Sequence, residues 1–177
     1  MDRAVFDFIH SFVGQYFWLD VLMIFLAQYL PYILTIFFLY LLFLSFKEDQ
    51  EKWLKRIYFF FLASLSLLIA RGLIVPLFRF FLPRSRPFLA LGFDPLLQGF
   101  FSAASFPSGH AAVFFVLASV AFFINRRWFW YLLVGAILNA AARVYVGVHW
   151  PSDVLVGAVV GAIVTVFLHR FLTQVKL

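Results

Sequence analysis

The chain has 177 residues, of which 65% are hydrophobic, 22% aromatic and 12% charged, with 27 phenylalanines and no cysteine. A soluble domain of this length has too little interior to hide so much apolar surface, so the composition excludes a water-soluble protein and predicts an integral membrane protein. The formal net charge of +6 reads as basic residues kept on the cytoplasmic side rather than a nucleic-acid surface, and without cysteine neither a disulfide framework nor a thiolate metal site is available.

The first ten residues, MDRAVFDFIH, carry Asp2 and Asp7, unlike the basic start of a cleaved signal peptide. Residues 4 to 17 set Val5, Phe8, Ile9, Phe12, Val13 and Tyr16 on one helical face against Asp7, Ser11, Gly14 and Gln15, the pattern of a helix lying in the interface. Trp18 and Asp20 mark a boundary, and the run up to Pro31 reads as a second short interfacial piece. Spans are then expected over 32–46, 57–78, 108–125, 128–148 and 151–172; the last four each supply about 27 to 33 Å of helix, close to a hydrocarbon core of about 30 Å. The expectation is an all-α, multi-pass transmembrane bundle of about five spans plus an N-terminal interfacial helix. It forms one domain over 1–177, with no repeat or long linker to divide it.

Connection lengths bring distant residues to one side. The second span ends near Arg79, the Pro-containing loop 82–106 follows, and the third span leaves from the same face. That span turns at Arg126 and Arg127 and returns as the fourth. Arg79, Arg84, Arg86, Ser108, His110, Arg143, His149 and Asp153 therefore share one face. Lys47, Lys52, Lys55, Arg56, Arg126, Arg127, Arg170 and Lys176 share the other, which the positive-inside rule makes cytoplasmic. Arginines with few carboxylates nearby, Asp94 and Asp153, call for a strongly anionic ligand, because a guanidinium fork matches phosphate oxygens. Pro107 and Gly109 flank the start of the third span and leave first-turn N–H groups to face an anion, favoured further by the helix dipole. His149 and Asp153 are four apart with Pro151 between them, so a helix starting there brings the carboxylate toward the imidazole and leaves the other ring nitrogen free.

RFFLPRSRP (79–87), FPSGH (106–110) and ARVYVGVHWPSD (142–153), in this order, resemble the three signature motifs of the type 2 phosphatidic acid phosphatase (PAP2) superfamily of lipid phosphate phosphatases. Similar short members suggest undecaprenyl diphosphate as substrate. Two departures stand out: Arg79 occupies a position where the family usually has Lys, and Ala142 one where it usually has Ser, removing a hydroxyl donor. Relative to six-span members an initial span is missing, which leaves the N-terminal helix on the outer face.

The resemblance implies that His149 attacks phosphorus to give a phosphohistidine, that Asp153 orients its ring, and that His110 protonates the leaving oxygen and then activates water. It assigns the phosphoryl oxygens to Arg79, Arg86, Arg143, Ser108 and the N–H of Gly109. It implies no cofactor and no metal, and a site on the outer side of the plasma membrane. The remaining alternatives are a phosphatidylglycerol phosphate or phosphatidic acid phosphatase, and a non-hydrolytic lipid-phosphate-binding protein, the latter on the strength of Ala142. Arg84 is open between an interfacial anchor and a site residue. His10 and His169 read as interfacial, Asp94 as a loop residue, and Arg71, inside an apolar span, as an ionisable group in need of a partner.

Overall fold

The computed structural model describes residues 2–44, 50–97, 99 and 101–174. Lys47 and Lys176, assigned above to the cytoplasmic side, and Phe46, the expected end of the first span, lie outside them. In chain order the helices are α1 (Asp2–His10), α2 (Phe17–Gln28), α3 (Leu30–Leu44), α4 (Gln50–Leu67), a π-helical segment (Leu68–Ile74), α5 (Val75–Phe81), α6 (Pro87–Leu91), α7 (Gly109–Ile124), α8 (Arg126–Tyr145) and α9 (Pro151–Gln174). Among the described residues extended pairing is confined to one isolated bridge, Ser85 with Ala104.

Length and composition alone do not confirm the expected count of about five spans. Trp53–Phe81 forms one apolar helix of 29 residues through the π-helical segment, and Pro151–Gln174 another of 24. Helices α2 and α3 qualify together but are bent by 47°, giving two spans, or three if the bent pair counts as one. Helix α7 is shortened because Ser108 is its cap and Asn125 already lies beyond its end. Helix α8 is diluted by Arg126, Arg127, Asn139 and Arg143.

Helix α2 also differs from the interfacial piece expected. Its C-terminal carbonyls are reached from α8, with Asn139 donating to the oxygens of Leu26 and Ala27 at 2.8 and 3.4 Å. The N-terminal helix ends at His10 rather than residue 17. Its inward residue is Phe6, fully buried, whereas Val5 and Phe8 are exposed.

Helix α7 runs through the middle of the bundle, packing against α3, α4, the π-helical segment, α8 and α9. Leu34 and Phe38 from α3, Leu62 from α4, Phe114, Leu117 and Val120 from α7, Leu132 from α8 and Val164 and Leu168 from α9 share one buried cluster. Large apolar side chains such as Phe80, Leu155 and Phe167 point outward, which suits a lipid-facing surface, where apolar exposure carries no penalty from water.

The approach of α9 to α7 depends on Gly157 and Gly161, spaced four apart on one face. A Cβ on Gly157 would run into the carbonyl oxygen of Ser108 and stand 3.1 Å from the Ala111 Cβ; one on Gly161 would collide with the backbone of Ala112. These glycines let backbone meet backbone, and the contact sets the start of α7 beside the start of α9, where Ser108 N–H donates to the Asp153 carbonyl at 2.9 Å.

Candidate active site

The residues singled out from the sequence converge at one end of this bundle. Asp153 lies in the first turn of α9 and is fully buried. Its carboxylate is held three ways. Oδ2 accepts the backbone N–H of Trp150 at 2.9 Å and stands 3.4 Å from His149 Nδ1, while Oδ1 accepts from Arg84 at 2.9 Å. With Nδ1 turned to Asp153, the other nitrogen of the His149 ring, Nε2, is the one left for chemistry.

The turn that carries His149 is fixed by its own sequence. Gly147 has φ of +86°, a left-handed conformation that suits glycine, and a Cβ there would meet the Phe93 ring at 2.6 Å. His149 is 1% exposed, and burial first pushes its pKa down to about 4, with Arg143 and Arg86 adding to the fall and Asp153 opposing it. The imidazole is thus neutral at pH 7.

Arg86 and Arg143 stand near the histidine, and Arg79 stands near both of them. Arg86 is buried, donating to the carbonyls of Ser102 at 2.6 Å and Val148 at 2.7 Å. Burial, and then Arg79, lowers its pKa to about 10, so it remains charged near neutrality. Arg79, at the end of α5, reaches Ser102 Oγ at 3.4 Å and the Pro107 carbonyl at 3.3 Å. Arg143, in the last turn of α8, donates to the Ala27 carbonyl at 3.3 Å. Among the described residues no acceptor meets the buried Nε atoms of Arg79 and Arg143, an arrangement that leaves donors for an anion.

Ser108 is the N-cap of α7, its oxygen accepting from Ala111 N–H, and is fully buried. Among the described residues no acceptor engages the N–H groups of Gly109 and His110, as an anion cradle at a helix N-terminus requires. His110, in that first turn, has Arg143, Arg71 and Arg86 as its charged neighbours, with His149 also close by. Ala142 sits in an apolar cluster with Ala27, Tyr145, Val146 and Val148.

The structure gives three further residues definite partners. Arg84 is not a headgroup anchor: it bridges Asp153 and Asp2, and stacks over Trp150 at 5.0 Å. His10 is packed inside, 4.5 Å from the Phe93 ring and 2.9 Å from the Tyr145 carbonyl. His169 pairs with the Tyr58 hydroxyl at 2.8 Å and stacks on Phe123. Asp94 is an exposed loop residue, as read.

Asp2 was not singled out as a site residue, although it stabilises the constellation. Its carboxylate accepts from Ser152 N–H at 2.9 Å, Ser152 Oγ at 2.7 Å and Arg84. Burial works against its charge, but those hydrogen bonds outweigh burial and hold its pKa below the usual carboxylate value. The only hint in sequence was an acid opening an amphipathic helix expected on the same membrane face. Among the described residues no group of three or more His, Cys, Asp or Glu side chains has metal-ligand spacing.

Fold and site together define a helical membrane protein with a buried cationic site at the end of its bundle. A profile of the PAP2 superfamily matches residues 59–176, and the chain belongs to that superfamily, a family of phosphatases. Among relatives, it is 29% identical over 173 residues to the undecaprenyl-diphosphatase BcrC of Bacillus subtilis, covering 97% of this chain and 84% of that one. It is 35% identical over 85 residues to an undecaprenyl-diphosphatase of Sulfolobus acidocaldarius, a match spanning 48% of this chain and 41% of the relative. The structure is similar to LpxE of Aquifex aeolicus, with a TM-score of 0.71 and 26% identity over 93% of this chain and 92% of that one. It also shares the fold of a transmembrane PAP2-type phosphatidylglycerolphosphate phosphatase of Bacillus subtilis, with a TM-score of 0.62 at 20% identity, covering 98% of this chain and 85% of that one.

Proposed function

We propose that the protein hydrolyses the terminal phosphate of a membrane lipid, with undecaprenyl diphosphate the preferred substrate, through a phosphohistidine on His149. The observation that carries this reading is the cluster of Arg86 and Arg143 at a neutral histidine paired with Asp153, with Arg79 beside those two arginines and, among the described residues, no acceptor for the Nε atoms of Arg79 and Arg143. The similarity to undecaprenyl-diphosphatases supports the choice of lipid.

In the first step His149 Nε2 attacks the terminal phosphorus, forming a P–N bond as the bridging P–O bond breaks. Asp153 holds Nδ1 and stabilises the charge that develops on the ring. His110 delivers a proton to the departing oxygen. The lipid leaves with one phosphate fewer, while Arg79, Arg86, Arg143, Ser108 and the Gly109 N–H take up charge on the equatorial oxygens. In the second step His110 removes a proton from water, the hydroxide attacks phosphorus, and cleavage of the P–N bond frees inorganic phosphate and restores His149.

The basic ends at Arg126 and Arg170 support a site on the outer face of the plasma membrane by the positive-inside rule. Lipid, membrane and water are the partners the mechanism requires; nucleic acid has no role in it.

The test is phosphate release by purified protein from undecaprenyl diphosphate, phosphatidylglycerol phosphate and phosphatidic acid, each with EDTA present. Release that is fastest from the diphosphate agrees with the reading. Preference for either glycerolipid replaces the substrate, and absence of release from all three with retained lipid binding favours a non-hydrolytic role.

A further inference from the structure

Arg71 belongs to none of the three motifs. It lies within the π-helical segment of an otherwise apolar span. Among the described residues it has no hydrogen bond or ion pair, and its electrostatic influence falls on the Arg79 guanidinium and the His110 ring. A cation in an apolar span, set beside a second cation and a histidine, calls for an anion.

Its position is set by Gly109. A Cβ on that glycine would collide with the Arg71 side chain, standing 2.8 Å from its Cδ and 3.0 Å from Cζ. The glycine of the PSGH sequence therefore also admits the arginine against the first turn of α7. The π-helical turn is itself a departure from α geometry of the kind found at functional sites.

Arg71 lines a cavity of about 310 Å³ with Gln28, Tyr32, Thr35, Gly109 and His110, and Val113 and Phe114 extend its wall. A neighbouring cavity of about 180 Å³ shares Gln28, Tyr32 and His110 with it, but has Arg143 where the first has Arg71. His110 thus stands between two cationic compartments. One contains Arg143, a proposed ligand of the transferred phosphoryl group. The other contains Arg71 and continues along apolar side chains.

We propose that Arg71 binds the phosphate that stays on the lipid, and so makes the site selective for diphosphates over monophosphates. This rests on the phosphatase reading above. When the P–O–P bridge breaks toward His149, the leaving group is a lipid monophosphate whose negative charge grows as it departs. His110 protonates its bridging oxygen, and Arg71 neutralises its remaining oxygens. A lipid monophosphate ester instead loses an alcohol, which His110 leaves uncharged and which has nothing to offer Arg71.

The experiment compares geranylgeranyl diphosphate with geranylgeranyl monophosphate, which share one tail, on the full-length protein and on Arg71→Gln and Arg71→Lys. The ratio of kcat/KM for diphosphate over monophosphate is expected to fall about 30-fold or more in Arg71→Gln, the scale of losing one charged donor to a developing anion. It should recover in large part in Arg71→Lys. An unchanged ratio, whether both activities fall together or neither falls, overturns the assignment and makes Arg71 an anchor or packing residue. Absence of phosphate release from both substrates by the unmodified protein overturns the phosphatase reading itself, a failure visible before any variant is made.

Discussion

Arg84 donates to Asp153 Oδ1 at 2.9 Å, so the carboxylate that faces His149 on one oxygen is tied on the other to a guanidinium. The same guanidinium holds Asp2, which joins the N-terminal helix to the carboxylate beside His149 through two ion pairs. Replacing Arg84 by Gln frees Asp153 to rotate and unlatches α1. The expected result is a fall in kcat on the order of 10- to 100-fold with little change in KM, the cost of misplacing a reactive group by about an ångström. Asp2→Asn should give a smaller loss of the same kind. A rise in KM alone would instead make Arg84 a substrate ligand.

The electrostatics of His149 give a pH prediction whose sign is fixed by its surroundings. Burial, Arg143 and Arg86 disfavour the charged ring and lower its pKa to about 4, while Asp153 favours it. The ring is therefore neutral well below the ordinary histidine value near 6.5, and removing the Asp153 charge should move its titration lower still. Histidine-labelled protein followed by NMR should show His149 titrating below pH 5, and lower in Asp153→Asn. A ring titrating at or above 6.5 would contradict the account.

Close approach of α7 and α9 is the structural condition for the site. Gly157→Ala places a methyl group against the Ser108 carbonyl and Ala111, pushing apart the two helix starts that present His110 and Asp153. The variant should lose activity by about 10-fold or more and unfold at lower temperature, overpacking of this kind costing about 1–3 kcal/mol. Leu155→Ala, on the exposed side of α9, is the control expected to behave as the parent. Equal behaviour of the two variants would show that the glycine contact is not limiting.

Much of this site could be read from the sequence because the motifs sit at chain reversals. Once the helices were placed, connection lengths alone carried Arg79, Arg86, His110, Arg143, His149 and Asp153 to one end. What could not be read was set by three-dimensional packing. Asp2 meets Ser152 across 150 positions, and no local pattern encodes that pairing. Arg71 and Gly109 gave no joint signal because a π-helical turn shifts the register on which a face is counted. The contacts of His10 and His169 rest on rings distant in sequence, Phe93 and Phe123. Span count was the least legible feature, since the polar residues that build the site also interrupt the apolar runs of α8.

Orientation can be tested cleanly in a chain without cysteine. Cysteines at Asp94, in the exposed loop beside the site, and at Asn125, between α7 and α8, occupy opposite ends of α7. A membrane-impermeant maleimide should label the first on intact cells and the second only after lysis. The reverse pattern would keep the chemistry and turn the site toward the cytoplasm; labelling of both from one side would break the proposed topology.

The central claim is that His149 carries the phosphoryl group. Protein mixed with substrate labelled with ³²P in its terminal phosphate, and quenched in alkaline detergent, should retain label that survives base and is released by mild acid. Digestion should place that label on the peptide containing His149, and Asp153→Asn should retain the site of labelling while forming it more slowly. His149→Gln should remain folded, take up no label and lose turnover by roughly 10⁴-fold or more. Label on His110 or on a carboxylate, or a His149→Gln variant that still turns over substrate at a substantial rate, would contradict the account.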